Sequence, residues 1–80
     1  MNIQETIFQR IARAQRNAAP IEAQAHFYHD LRFDSLSFIS LLVDLEGVFS
    51  IVFDLAEMQE CLEVGRLVAL VQEKTRGRYD

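Results

Sequence analysis

The chain has 80 residues, half of them hydrophobic, with eight Lys and Arg against twelve Asp and Glu and a net charge of −4. A single small domain over residues 1–80 is expected, with little room for a deep catalytic pocket and no basic cluster outside the first helix to grip a nucleic acid. The lone Cys61 excludes an internal disulfide, no apolar run reaches membrane-spanning length and no signal-peptide core is present, so a cytoplasmic protein is expected.

With only three glycines and one proline among long apolar-periodic runs, the fold class expected is all-α. Asn2 and Glu5 have the spacing of a capping box. Ile3, Ile7, Phe8, Ile11 and Ala14 then recur at helical spacing, with Gln4, Arg10 and Arg13 outward, predicting a first helix over about residues 3–16. Pro20 is expected to close it. Arg10, Arg13 and Arg16 against one acid also give this segment a transit-peptide flavour, but the first helix of a bundle is the simpler reading.

Residues 17–34 have no clean period. Ile21, Phe27, Leu31 and Phe33 are spaced to dip onto a core, which predicts an ordered loop, with room for a helical turn within Ala23–Tyr28. His26, His29 and Asp30 read as solvated loop residues, since they lack a dependable fourth metal ligand. A hydrolytic triad of Ser35, His29 and Asp30 has no visible oxyanion hole or pocket behind it.

A second helix is predicted from Ser35 or Leu36 to Phe49. Phe38, Leu41, Leu42, Leu45, Val48 and Phe49 form one apolar face, and Leu36, Ile39 and Val43 form a second on the other side. A helix apolar on both sides is either fully buried or has a partner. Ser50–Phe53 is strand-like in isolation, but no second strand is available, so an extended connector with Ile51 and Phe53 inward is expected. Asp54 and Glu57 signal a short helix over about Leu55–Gln59. Val64, Leu67, Val68 and Val71 mark a last helix ending near Lys74, with Lys74, Arg76 and Arg78 placed against its negative end and Gly77 stopping it. Cys61 reads as a small apolar residue with nothing nearby to lower its pKa.

The segment Phe27–Leu36 ends the long loop and opens the most apolar helix. Asp34 and Ser35 both suit a helix start; one serves as the cap, and the other is left on the first turn. A serine there presents its hydroxyl to solvent, within reach of another protein.

Asp34-Ser35-Leu36, preceded by Asp30-Leu31 and Phe33, resembles the Asp-Ser-Leu attachment motif of acyl and peptidyl carrier proteins. The resemblance continues through Leu41, the Leu45-Glu46…Phe49 ending of helix two, the Ile51/Phe53 connector and the final helix, so it covers essentially the whole chain. It implies a small bundle of three main helices and one short helix. It also implies 4′-phosphopantetheine carried covalently on Ser35, with Asp34 helping recognition, and an acyl or aminoacyl group held as a thioester. Such a stand-alone carrier is a substrate and shuttle, with no catalysis of its own. The implied partners are a phosphopantetheinyl transferase, a loading ligase and downstream acyl-processing enzymes, docking on Leu36, Ile39, Ser40 and Val43 of a monomeric protein.

Three departures from the family pattern stand out. Arg32 occupies a usual glycine position, so the loop there either avoids positive φ or tolerates strain. Helix two holds only Asp44 and Glu46 as acids, where fatty-acid-synthesis carriers are strongly acidic, which favours a dedicated carrier of a specialised pathway. Glu63 is a poor cap for the last helix. The rival reading is a carrier-like helical adaptor that binds partners through helix two without a prosthetic group. A bundle that dimerises through the outer stripe is a third.

Overall fold

The computed structural model describes residues 2–76 and 78. Four helices follow in chain order: α1 (Ile3–Ala14), α2 (Ser35–Phe49), α3 (Leu55–Glu60) and α4 (Val64–Lys74). Among the described residues there is no strand, only one isolated bridge between His26 and Glu63. The all-α bundle of three longer helices and one short one is therefore the observed fold.

α1 begins where Asn2 Oδ1 accepts the Glu5 N–H at 2.9 Å. It ends at Ala14, six positions before Pro20, so the proline does not terminate it. Gln15 turns to extended backbone, and its side-chain amide donates to Ala19 O at 2.7 Å and Asn17 Oδ1 at 2.8 Å. That local bonding competes with another helical turn. α1 packs against both α2 and α4, and its buried Ile7 and Ile11 meet Leu42, Leu45, Leu67 and Val71 in one core.

The connector behaves as its pattern predicts: Ile51 and Phe53 are buried and Val52 lies in solvent. α3 is a six-residue helix with no buried residue, so apolar packing alone does not hold it. Its start is fixed by a capping box in which the Glu57 N–H donates to Asp54 Oδ1 and the Asp54 N–H to Glu57 Oε1. Lys74 Nζ reaches Glu57 Oε1 at 2.8 Å from α4 and lies 5.9 Å from the centre of the Phe53 ring. The expected use of Lys74 at its own helix end is thus joined by a cross-link to α3.

Glu63 makes no side-chain cap for α4, as its identity suggested. The start of that helix is held instead by backbone bonds from the long loop: Val64 N–H donates to Ala25 O and Gly65 N–H to Ala23 O, at 3.0 and 2.7 Å. Gly65 suits this approach, because a Cβ there would sit 3.0 Å from Ala23 O and the loop would have to give way by a few tenths of an ångström. At the far end Thr75 is buried, its hydroxyl donating to Val71 O at 2.7 Å. Gly77, the expected stop, lies outside the described residues. Arg78 joins two helix ends: its backbone N–H donates to Thr75 O at the end of α4 and its guanidinium to Phe49 O at the C-terminus of α2, both at 2.9 Å.

Candidate functional site

The loop that leads to α2 is pinned by aromatic side chains. Phe27 is fully buried, with Phe33 edge-on to it at 5.4 Å and Phe38 of α2 at 4.9 Å between ring centres. Tyr28 packs edge-on against Phe38 at 5.6 Å. Two backbone bonds fix the loop further, Phe33 N–H to Phe27 O and Phe27 N–H to Leu62 O, both at 2.9 Å. The start of α2 is therefore set by contacts on both sides of residues 34 and 35.

His26 is not the solvated loop residue expected. It is half-buried, and its Nδ1 accepts the Tyr28 and His29 N–H groups at 3.1 and 3.3 Å. Its own N–H donates to Asp30 Oδ2 at 2.7 Å. His26, His29 and Asp30 thus build a turn, and no cluster of metal-ligating side chains occurs among the described residues.

Arg32 adopts the left-handed conformation, with φ 62°. The backbone keeps the conformation that suits glycine although the residue has a Cβ. Positive φ is thus tolerated rather than avoided.

Asp34 is the cap of α2 and Ser35 its first residue. Asp34 Oδ1 accepts the Ser37 N–H at 2.8 Å, and Ser37 Oγ accepts the Asp34 N–H at 3.0 Å. The Ser37 hydroxyl also donates to Asp34 O at 3.2 Å. The bond from the Ser37 N–H, then that with its hydroxyl, hold the Asp34 carboxyl below its ordinary range, and Arg16 adds a smaller pull. Sequence reasoning missed the part played by Ser37, because the third position of a capping box is usually Glu or Gln.

Capping is complete without Ser35. Its side chain is exposed and makes no hydrogen bond among the described residues. It opens onto a groove of about 270 Å³ between α2 and α3, lined by Tyr28, Phe38, Ile39, Leu55, Met58 and Leu62 among others. A free hydroxyl therefore stands at the rim of an apolar groove.

The second apolar face of α2 lies in solvent. Leu36 is 76 % exposed, Val43 56 % and Ile39 47 %, which removes the fully buried alternative. Ser40, also exposed, turns toward a shallow cleft against α1 that Arg10, Arg13, Ser37 and Asp44 share. Cys61 lies elsewhere, buried beneath α3, and burial raises its thiol to about 11.

Comparison with known proteins agrees with this arrangement. The model of a family described as the phosphopantetheine attachment site matches residues 5–71. An acyl carrier protein of Exiguobacterium sp. (strain ATCC BAA-1283 / AT1b) is 27 % identical over 74 residues, covering 92 % of this chain and 90 % of that protein. A solved structure from Mycobacterium tuberculosis, described as “a putative acyl carrier protein”, superposes with a TM-score of 0.83 at 30 % identity, covering 90 % of this chain and 97 % of the other. With its family model spanning most of its length and its four helices matching a solved relative, the chain belongs to the acyl carrier protein family, the carriers of 4′-phosphopantetheine.

Proposed function

We propose that Ser35 is the residue to which phosphopantetheine is attached, and that the chain shuttles an acyl or aminoacyl group between enzymes of a dedicated biosynthetic pathway. The observation that carries this reading is the Ser35 hydroxyl itself. It is exposed and unbonded beside a cap that Asp34 and Ser37 complete without it, at the rim of an apolar groove. These residues fit the group: the hydroxyl is open to solvent, and the neighbouring groove is lined by hydrocarbon.

When bound, phosphopantetheine supplies the thiol that holds the cargo as a thioester. The residues of this chain position the site and do no more. No base of this chain is bonded to the Ser35 hydroxyl among the described residues, so its activation falls to the transferase. Asp34 fixes the first turn, and Leu36, Ile39, Ser40 and Val43 offer the surface on which the transferase, a loading ligase and later enzymes dock in turn. The chain acts as one domain and as a monomer in the cytoplasm, without catalysis of its own. The dedicated pathway is favoured because α2 has only two acids, Asp44, which is paired with Arg10 at 3.1 Å, and Glu46, which accepts the Phe53 N–H at 2.8 Å.

Intact mass before and after incubation with coenzyme A, Mg²⁺ and a broad-specificity phosphopantetheinyl transferase tests the assignment. The parent is expected to gain one phosphopantetheine and Ser35→Ala none. A folded parent that gains nothing from several transferases would instead favour an adaptor working through the exposed stripe alone.

A further inference from the structure

The loop before α2 contains a single helical turn, closed by the Asp30 and Leu31 N–H groups, which donate to His26 O at 2.9 and 3.1 Å. His26 stands at its start, where a side chain that accepts backbone N–H bonds is needed and Asn, Asp or Ser is usual. Here an imidazole fills that role. Its Nδ1 accepts the N–H groups of Tyr28 and His29 at 3.1 and 3.3 Å. Asp30 Oδ2 accepts the His26 N–H at 2.7 Å in return, so the turn is capped in both directions. Two donors at one nitrogen require a lone pair there, which places the proton of the neutral ring on Nε2.

This turn bears on Ser35. It sets Phe27 into the core and Tyr28 against Phe38 of α2, and Tyr28 and Ser35 line the same groove. Histidine differs from the usual caps in that its charge ordinarily changes between about pH 5 and 8. A proton on Nδ1 turns the acceptor into a donor that faces two donors. The groups around the ring come from both sides. On the turn itself the His29 ring lies at 4.3 Å and the Tyr28 ring at 5.9 Å, with the Asp30 carboxylate on the His26 N–H. From the other side Glu60 at the end of α3, Glu63 and Arg66 of α4 share a cleft with His26, and Arg66 is 3.6 Å from Glu63. A charged ring thus has carboxylates in that cleft to turn toward.

We propose that neutral His26 is a positioning residue for the loading of Ser35. It holds the turn that seats Tyr28 at the groove; acid charges the ring, releases the turn and slows attachment. The inference rests on Ser35 being the attachment site, and adds a residue and a proton to what controls it. His29 gives the cap its backbone N–H and not its exposed ring, so replacing that side chain leaves the cap in place.

The test follows loading by a broad-specificity phosphopantetheinyl transferase, read as intact mass against time between about pH 5.5 and 8. Parent, His26→Asn, His26→Ala and His29→Asn are compared. Asparagine keeps an acceptor for the same N–H groups and does not ionise. Each rate is divided by that of His26→Asn at the same pH, which cancels the transferase's own pH profile. The parent is expected to match His26→Asn near pH 8 and to fall about fivefold below it near pH 5.5, following the His26 ring titration seen by NMR. His29→Asn should fall as the parent does, and His26→Ala should be about fivefold slow at every pH. Circular dichroism at each pH checks that every chain is folded. A flat parent ratio, an acid fall that disappears in His29→Asn, or equal rates for His26→Ala and His26→Asn overturns the proposal. Mass gain with a flat ratio leaves the Ser35 assignment standing. A folded parent that gains no mass at any pH overturns that assignment, and the role of His26 with it.

Discussion

Asp34 and Ser37 bond to each other in both directions across the first turn of α2, at 2.8 and 3.0 Å, and Ser35 lies between them taking no part. The helix start is thus fixed by the neighbours of the serine, and Ser35 can be changed without losing the cap. Ser37→Ala removes the acceptor for the Asp34 N–H and is expected to cost about 1 kcal/mol, read as a lower midpoint in urea. Ser35→Ala should unfold within about 0.5 kcal/mol of the parent. A loss in Ser35→Ala as large as that in Ser37→Ala would show that the serine does structural work.

Acid should weaken the fold through two carboxylates. The Ser37 bonds depress Asp34 below its ordinary value near 3.8, and the hydrogen bond from Lys74, followed by that with Asp54, depresses Glu57 below 4.5. Each folded-state pKa lies below the unfolded one. Their contribution is therefore complete above the unfolded values and is lost as pH falls from about 4.5 through the folded values. Asp34→Asn/Glu57→Gln should melt below the parent at pH 7, while the two melting temperatures converge as pH falls from about 4.5 through the folded values. Parallel curves across that range would contradict the linkage.

Among the described residues, two non-glycine positions hold left-handed backbone, Arg32 at φ 62° and Ser50, which caps the end of α2, at φ 54°. Glycine removes the Cβ contact that disfavours this region. Ser50→Gly and Arg32→Gly should each raise the melting temperature, by about 2–5 °C in a domain of this size. Unchanged or lower melting temperatures in both variants would show that the left-handed backbone carries no such cost.

Cys61 is buried, with its thiol raised to about 11. Because the thiolate is the reactive form, alkylation by iodoacetamide at pH 8 should be slow in the native protein and fast in urea. After transfer from coenzyme A, one rapidly alkylated thiol should appear in the native state, separable by mass from Cys61. Fast native alkylation before transfer would mean that α3 leaves Cys61 open.

The helices were legible because their information is local. The capping pair Asp54/Glu57, the period of Val64, Leu67, Val68 and Val71, and the two faces of α2 are all written within a few residues of one another. The exposed Ser35 could be read for the same reason. What escaped depends on distant chain. Nothing near His26 states that its ring will accept two backbone N–H groups, or that Ala23 and Ala25 will bond the start of α4. Arg78 likewise reaches back to a carbonyl 29 positions away. α1 ends at Ala14, two residues short of the expected bound at about 16, because Gln15 and Asn17 divert the chain well before Pro20. The missing glycine at position 32 raised the right question, and only the backbone answered it.

The bonds joining Ala23, Ala25 and Phe27 to Leu62, Val64 and Gly65 also set an order of events. The loop that delivers Ser35 has its backbone partners in the last third of the polypeptide. A nascent chain still short of residue 62, or one clipped after α3, has the Asp-Ser-Leu sequence without the clamp that shapes its approach. A modifying enzyme that recognises the folded turn would pass over such fragments. Loading would then be confined to finished molecules, with no separate inspection step.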